Sequence, residues 1–368
     1  MSTRLPSDLL SRPAEESSRL LALSYLDEIG RAEKRLEDPD DAEALHDFRV
    51  GLRRLRSSSR AYRFQLKGSI TRQVRRRLRK LTQATNAGRD TEVHLAWLRQ
   101  QAEQLGPDGL QGLSWLIGRL EGRRFDMVRT GTAYAREQFL KTAAKVRPRL
   151  GTFRMEIRTG SRQAHRSFGH ATGELIRAQV AELADDLKRV QGAEDVNGVH
   201  SARISAKRLR YLLEPLARRV PGVKALVTQL KEVQDSLGDL HDRHVLAEEI
   251  ASTRSDLSCI SSDRLAGCEP GLRTLERLAV EQAAVAFARF DTQWSGEPAG
   301  KFILQVERLA VSLAEGAIRV PGAPVLSIGG ARNAGSSAGT PEDQEQRHSR
   351  KAGYMEHNGG ARAIPKSS

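Results

Sequence analysis

Two stretches of the chain carry residue types that bind phosphate. In the first, His46, Arg49, Arg53, Arg56 and Arg60 recur at intervals of three and four residues. Residues at these intervals lie on one face of an α-helix, so the five side chains would form a stripe about 21 Å long. Neighbouring cations on one helix face repel each other and weaken the helix. The stripe therefore indicates a binding surface for an anionic ligand.

The same pattern returns 154 residues later, as His200, Arg203, Lys207 and Arg210. Apolar positions before the two stripes correspond at this offset, and positions after them correspond at an offset of 152. The change of offset marks an insertion or deletion of two residues. Since a period this long exceeds that of solenoid repeats, the chain is predicted to contain a duplicated unit of roughly 150 residues.

A second basic face follows each stripe. In the first half it consists of Arg72, Arg76 and Arg79, and in the second half Lys224 and Lys231 hold positions equivalent to the first and last of these. The short connection after the stripe predicts that the next helix returns antiparallel to it. Two basic faces could then line one groove. The alternative is a solvated, arginine-rich exterior.

Two acidic and two histidine positions also correspond between the halves. Asp90 and Asp242 each precede an apolar-periodic segment, which favours capping of a helix, or holding of an arginine, over catalysis. Gly238 with the aspartate after it predicts a turn before Asp242. For His46 and His200, hydrogen bonding to phosphate and a packed structural role are equally open.

The composition favours a polyanionic partner. The net charge is +14 and the isoelectric point is about 10.2, which fits nucleic acid, acidic membrane surfaces or phosphate polymers. Residues 46–80 contain thirteen Lys and Arg against one acid, and residues 200–231 contain eight against one. A merely solvated basic face would have no reason to recur at matching positions in both halves.

Other features narrow the class of protein. No apolar stretch is long enough to span a membrane, and the first residues lack the apolar core of a signal peptide. Cys259 and Cys268 stand outside any zinc-binding spacing. We therefore expect a soluble, cytoplasmic protein with reduced thiols, no membrane partner, no metal and no cofactor.

The elements that position the stripes are helices. Phe48, Leu52 and Leu55 form an apolar seam on a different face of the first stripe helix, so that one face packs while the other stays accessible. Pro215 should end the second stripe helix early. The predicted helices cover residues 15–37, 41–66, 69–86, 91–147 with a break at 106–107, 160–191, 196–219, 222–238, and 242–316 with breaks near Gly267 and Gly296.

The predicted fold class is all-α, with two tandem, pseudo-symmetric four-helix bundles. The expected organisation is a flexible N-terminus at 1–13, a first half at 14–155, a second half at 156–318 and a disordered tail at 319–368.

The two stripes resemble the CHAD family, the conserved histidine α-helical domain. The resemblance covers roughly residues 14–316. It rests on His46-x-x-Arg49 with the basic run 53–56, on His200-x-x-Arg203 with the run 207–211 and Glu214, and on residues 230–242.

The resemblance implies a binding module for inorganic polyphosphate, with basic residues that line a central groove. The Glu-x-Glu-x-Lys mark of the triphosphate-tunnel domain that many family members carry is absent from this sequence, so no catalytic partner domain is implied. We expect a binding module that is not an enzyme. Such a module would target the protein to polyphosphate granules or regulate polyphosphate metabolism. The implied ligand contacts are His46, Arg49, Arg53, Arg54, Arg56, Arg60, Arg72, Arg76, Arg79, His200, Arg203, Lys207, Arg208, Arg210, Lys224 and Lys231.

Two other functions are weighed against this one. Single-stranded nucleic acid is the main alternative, although its recognition favours aromatic platforms and only 5% of the residues are aromatic. A metal-dependent phosphohydrolase built on His46-Asp47 and His241-Asp242 is less favoured. In the second copy Ser201 replaces Asp47, while the basic stripe persists.

Overall fold

The computed structural model describes residues 3–38, 40–86, 88–152, 166–258 and 267–317. Within these ranges the regular elements are helices and no strand is formed, which confirms the all-α prediction. The helices of the first half are α1 (Ala14–Arg35), α2 (Ala42–Ala61), α3 (Arg72–Asn86), α4 (Arg89–Gln100) and α5 (Pro107–Gly151). Those of the second half are α6 (Phe168–Arg189), α7 (Val196–Leu213), α8 (Val223–Ser258), α9 (Glu269–Trp294) and α10 (Gly296–Ala314).

The two stripe helices, α2 and α7, begin in the same way. Asp41 caps α2 by accepting hydrogen bonds from the backbone N–H groups of Glu43 and Ala44, and Asp195 caps α7 through that of Gly198. The helix α7 ends before Pro215, and a short 3₁₀ turn follows at Glu214–Leu216. The second stripe helix has 18 residues against 20 in the first, so its predicted shortening is confirmed.

The helix α8 runs without a break from Val223 to Ser258. The predicted helix end at Gly238, the turn after it and the N-cap at Asp242 are therefore wrong. The side chains of Leu237 and Leu240 are both fully buried, so the apolar face continues across the glycine. Burial of this face outweighs the cost of one interior glycine, about 1 kcal/mol.

Asp90 is not an N-cap either. The helix α4 starts at Arg89 with Gly88 in the cap position, and Asp90 lies in the first turn. A carboxylate there still interacts favourably with the helix dipole.

One hydrophobic core joins the two halves. It contains the buried faces of both stripe helices, and Tyr62 from the first half packs against Phe168 from the second, with ring centroids 5.0 Å apart. The Tyr62 hydroxyl lies 2.9 Å from that of Thr172. A second apolar cluster, which includes Trp97 and Leu246, is formed by α4, the start of α5, the end of α8 and α9. The core thus holds α2 and α7 against each other.

The N-terminal segment at residues 3–13 is packed, whereas the sequence predicted a flexible segment at residues 1–13. Leu9 is fully buried, and its carbonyl accepts a hydrogen bond from the Ser17 hydroxyl at 2.8 Å. The backbone N–H of Phe168 donates to the Arg12 carbonyl, also at 2.8 Å. Apolar residues at 5, 9 and 10 make this docking possible despite the lack of helical periodicity.

Some predictions fall outside the described residues. These are the predicted disordered tail at 319–368 and the predicted reduced thiol of Cys259. Cys268 lies within the described residues and is buried. In the described part of the chain, no helix has the length and apolar character needed to cross a bilayer.

Candidate anion-binding site

The packing of α2 against α7 brings the two basic stripes together. Lys207 of α7 interacts electrostatically with Arg53 and Arg56 of α2, as well as with Arg203 and Arg210 of its own helix. We call these five residues the cation cluster. Burial first, and then the repulsion from its four neighbours, lowers the pKa of Lys207 to about 8.

The cation cluster extends onto neighbouring positions. Arg56 interacts with Arg79 of α3, so the predicted convergence of α2 and α3 is seen at this point, and with Tyr211 and Arg208 of α7. Arg60, which is exposed near the end of α2, also interacts with Arg208. The two halves therefore contribute to a single region of positive charge.

Several donors in this region have no acceptor. The Nε atoms of Arg53 and Arg203 are buried and have no hydrogen-bond partner among the described residues. Buried donors without a partner are costly and uncommon in folded proteins. An anion that accepts these hydrogen bonds would relieve both the repulsion and the missing bonds.

Histidines close one end of the cation cluster. The rings of His200 on α7 and His241 on α8 lie 5.3 Å apart, centroid to centroid. Burial, followed by the charges of Arg203 and His200, lowers the pKa of His241 to about 4. Neither the Nδ1 of His241 nor either ring nitrogen of His244 has a hydrogen-bond partner in the described part of the chain.

Sequence reasoning did not include His241 and His244 in the binding site. The signal was present, because Gln234, Gly238 and His241 follow Lys231 at intervals of three, four and three residues. These intervals define one helix face only if α8 is continuous, and the prediction placed a break there.

Arg203 lies against the backbone of α8. A Cβ atom built on Gly238 would stand 3.6 Å from the Arg203 Nε, which is ordinary van der Waals contact. The carboxylate of Asp242 interacts with Arg203, in line with the expectation that this aspartate holds an arginine. Burial dominates at Asp242 and raises its pKa, whereas Arg203 acts in the opposite direction.

Four of the predicted ligands are engaged by carboxylates. Arg49 is only 8% exposed, donates from Nε to the Thr85 carbonyl at 2.7 Å, and lies 3.6 Å from Glu92. It therefore departs from the expectation that the stripe faces solvent. The other three arginines are Arg54, paired with Glu214 at 2.9 Å and with Glu28 at 3.5 Å, Arg210, paired with Glu214 at 3.3 Å, and Arg208, paired with Glu182.

The remaining predicted ligands lie at the periphery. They are exposed, and none of them makes an ion pair with a described carboxylate: His46, Arg72, Arg76, Lys224 and Lys231. No hydrogen bond, ion pair or ring contact among the described residues links these side chains to the cation cluster, so their part in binding stays a prediction.

The alternative of a metal-dependent hydrolase finds little support in the geometry. Asp47, which that hypothesis paired with His46, forms an ion pair with Arg35. Among the described residues, no three His, Cys, Asp or Glu side chains are grouped so that they could hold a metal ion.

Comparison with known proteins agrees with this architecture. The crystal structure of the CHAD domain from the plant Ricinus communis is similar with a TM-score of 0.53 and 20% sequence identity, over 87% of this chain and 98% of that one. PptA from Streptomyces chartreusis is similar with a TM-score of 0.57 and 16% identity, over 76% of this chain and 99% of that one. No curated protein matches the sequence.

The sequence model of one family matches more than half of the chain. That model is the CHAD domain, and it matches residues 21–251, a range that includes both stripes and the cation cluster. The protein belongs to the CHAD domain family.

Proposed function

We propose that the protein binds inorganic polyphosphate at the cation cluster and acts by binding, without catalysis. The observation that carries the proposal is the meeting of Arg53 and Arg56 with Arg203 and Lys207 across the α2–α7 contact. None of these four residues forms an ion pair with a carboxylate in the described part of the chain. Membership in the CHAD family supports the same ligand.

The chemistry of the cluster suits a linear phosphate polymer. Guanidinium groups donate paired hydrogen bonds to phosphate oxygens, and each charge-assisted bond contributes about 1.5–3 kcal/mol before ordering costs. A polymer also releases counterions when several of its phosphates are neutralised. Because both halves supply donors, one chain that crosses α2 and α7 can contact all of them at once.

Nucleic acid is the second candidate, and one residue favours it. Tyr211 is a half-buried aromatic side chain beside Arg56, where a base could stack. However, the guanidinium of Arg210 already lies over this ring, 5.2 Å from its centroid. A phosphate polymer without bases needs no such platform, so we favour polyphosphate.

A titration of the full chain with long-chain polyphosphate and with single-stranded RNA, at several salt concentrations, tests the proposal. We expect tighter binding to polyphosphate, and a log–log salt slope of about 0.7 per contacted phosphate. The variant Arg53→Gln/Lys207→Gln should weaken binding by at least tenfold. The control Lys145→Gln/Arg289→Gln removes two exposed cations and should change affinity much less.

Equal losses in the two double variants would show that only net charge matters, and would contradict a defined site. Tighter binding to RNA would favour the second candidate.

Binding of polyphosphate would also bring the protein to polyphosphate granules in the cytoplasm, which imaging of a tagged chain checks.

A further inference from the structure

We propose that anion binding at the cation cluster is coupled to proton uptake, with Lys207 and His241 as the groups that take up the protons. The inference rests on the proposed function, and it adds that pH regulates the binding of polyphosphate. It stands on the placement of two titratable side chains among fixed cations. Lys207 shares a face of α7 with Arg203 and Arg210, on the helix that packs against α2. The ring of His241 lies 5.3 Å from that of His200, and its Nδ1 is buried without a hydrogen-bond partner among the described residues.

Lys207 is enclosed by charges of its own sign. Arg203 and Arg210 flank it on α7, and Arg53 and Arg56 face it from α2. No described carboxylate lies within ion-pair distance of its ammonium group. Because its pKa is about 8, a sizeable fraction of the free protein carries a neutral Lys207 in mildly alkaline solution.

His241 has a similar setting on the α8 side. His200, Arg203 and Lys207 face it from α7, and His244 lies one turn further along its own helix. With a pKa of about 4, His241 is neutral in the free protein at neutral pH. The neighbouring residue Asp242 also carries a carboxyl group, and burial raises its pKa.

Asp242 interacts with both Arg203 and Asp90 of α4. His94 of α4 and Arg243 of α8 also act on its carboxylate. Charged groups from α4, α7 and α8 therefore all contribute to the electrostatic environment of His241.

The sign of the coupling follows from the charge of the ligand. A polyanion stabilises the protonated form of both groups, so each pKa rises on binding. The pKa of Lys207 would move from about 8 towards its ordinary 10.5, and that of His241 from about 4 towards 6.5. Protons are taken up between the free and the bound pKa. Affinity then falls as the pH rises through each window, by at most tenfold per pH unit for one proton.

Calorimetric titration of the full chain measures the coupling directly. The ligand is long-chain sodium polyphosphate, since its terminal groups, which titrate near pH 6, are then few. Repeating the titration at one pH in buffers of different ionisation enthalpy gives the number of protons taken up. We expect more than half a proton per site at about pH 8.5, and a second uptake at about pH 5.5.

Two variants assign the protons. Lys207→Arg keeps the charge but does not titrate in this range, so binding should persist while the alkaline uptake is lost. Lys145→Arg, at an exposed lysine of α5 outside the predicted ligand set, is the matched control and should keep that uptake. His241→Asn should lose the acidic uptake and keep the alkaline one.

Tight binding without net proton uptake at either pH would overturn the coupling and leave polyphosphate binding intact. Alkaline uptake that survives in Lys207→Arg would overturn the assignment to this lysine. Absence of polyphosphate binding at every pH would instead overturn the proposed function, and the coupling with it.

Discussion

Arg49 and Arg203 occupy equivalent positions in the two halves, yet their surroundings differ. Arg49 is buried, bonded to the Thr85 carbonyl and paired with Glu92. At the offset of 152, Leu237 and His244 take the places of Thr85 and Glu92 in the second half. Arg203 consequently has a buried Nε without a hydrogen-bond partner among the described residues. A carboxylate within ion-pair distance thus separates a structural arginine from one available to a ligand, since Asp242 interacts with Arg203 but forms no ion pair with it.

At the opposite end of the stripes the asymmetry is reversed. Glu214 in the second half stands where Arg60 stands in the first, and it pairs with both Arg210 and Arg54. Arg56, the counterpart of Arg210, has no ion pair in the described part of the chain. Each half therefore fixes its stripe at one end and leaves it unpaired at the other. Lys207 links the unpaired members, because it interacts with Arg203 on its own helix and with Arg53 and Arg56 of α2.

Exchanging the two equivalent arginines for alanine gives the largest expected difference. Arg49→Ala leaves the Thr85 carbonyl without its donor and leaves Glu92 paired with Arg89 alone, so we expect a loss of about 1–2 kcal/mol in the free energy of unfolding. Arg203→Ala removes a repelled cation, so stability should hardly change while polyphosphate affinity falls by at least tenfold. Urea denaturation and ligand titration of both variants separate the two effects. Equal destabilisation by both would contradict the asymmetry.

Much of the fold follows from local patterns in the sequence. The helices, the duplication and the two stripes depend on spacings of three and four residues, which are fixed within each segment. The continuity of α8 was missed because Gly238 and Asp239 are strong turn residues, and only the burial of the faces on either side decides against a turn.

Local patterns in the sequence did not predict which arginines of the site are paired with carboxylates. Glu92 reaches Arg49 from α4, and Glu214 reaches Arg54 across the contact between the two halves. These pairs depend on how helices pack, which the spacing within one helix does not determine. The sequence predicts which residues form the stripes, whereas tertiary packing selects the members that remain unpaired.

Installing the missing carboxylate in the second half should convert Arg203 towards the state of Arg49. We expect His244→Glu to weaken polyphosphate binding by about tenfold, because an acid beside the cation cluster competes with the ligand. Thr228→Glu adds the same charge at an exposed position of α8 and serves as the control. A parallel titration of both variants checks this, and an equal effect would indicate a long-range charge effect alone.

Removing the carboxylate at the other end should have the smallest effect and the opposite sign. Glu214→Gln leaves Arg54 paired with Glu28 alone and removes the charged partner of Arg210, which then becomes available to an anion near Arg56. We expect polyphosphate affinity to rise about two- to fivefold, and the free energy of unfolding to fall by about 1 kcal/mol, since these pairs are only partly buried. The control Glu232→Gln neutralises an exposed carboxylate of α8 that forms no ion pair with a described residue. If Glu214→Gln instead weakens binding, Glu214 orients the two arginines for the ligand, and the pairing at this end belongs to the site.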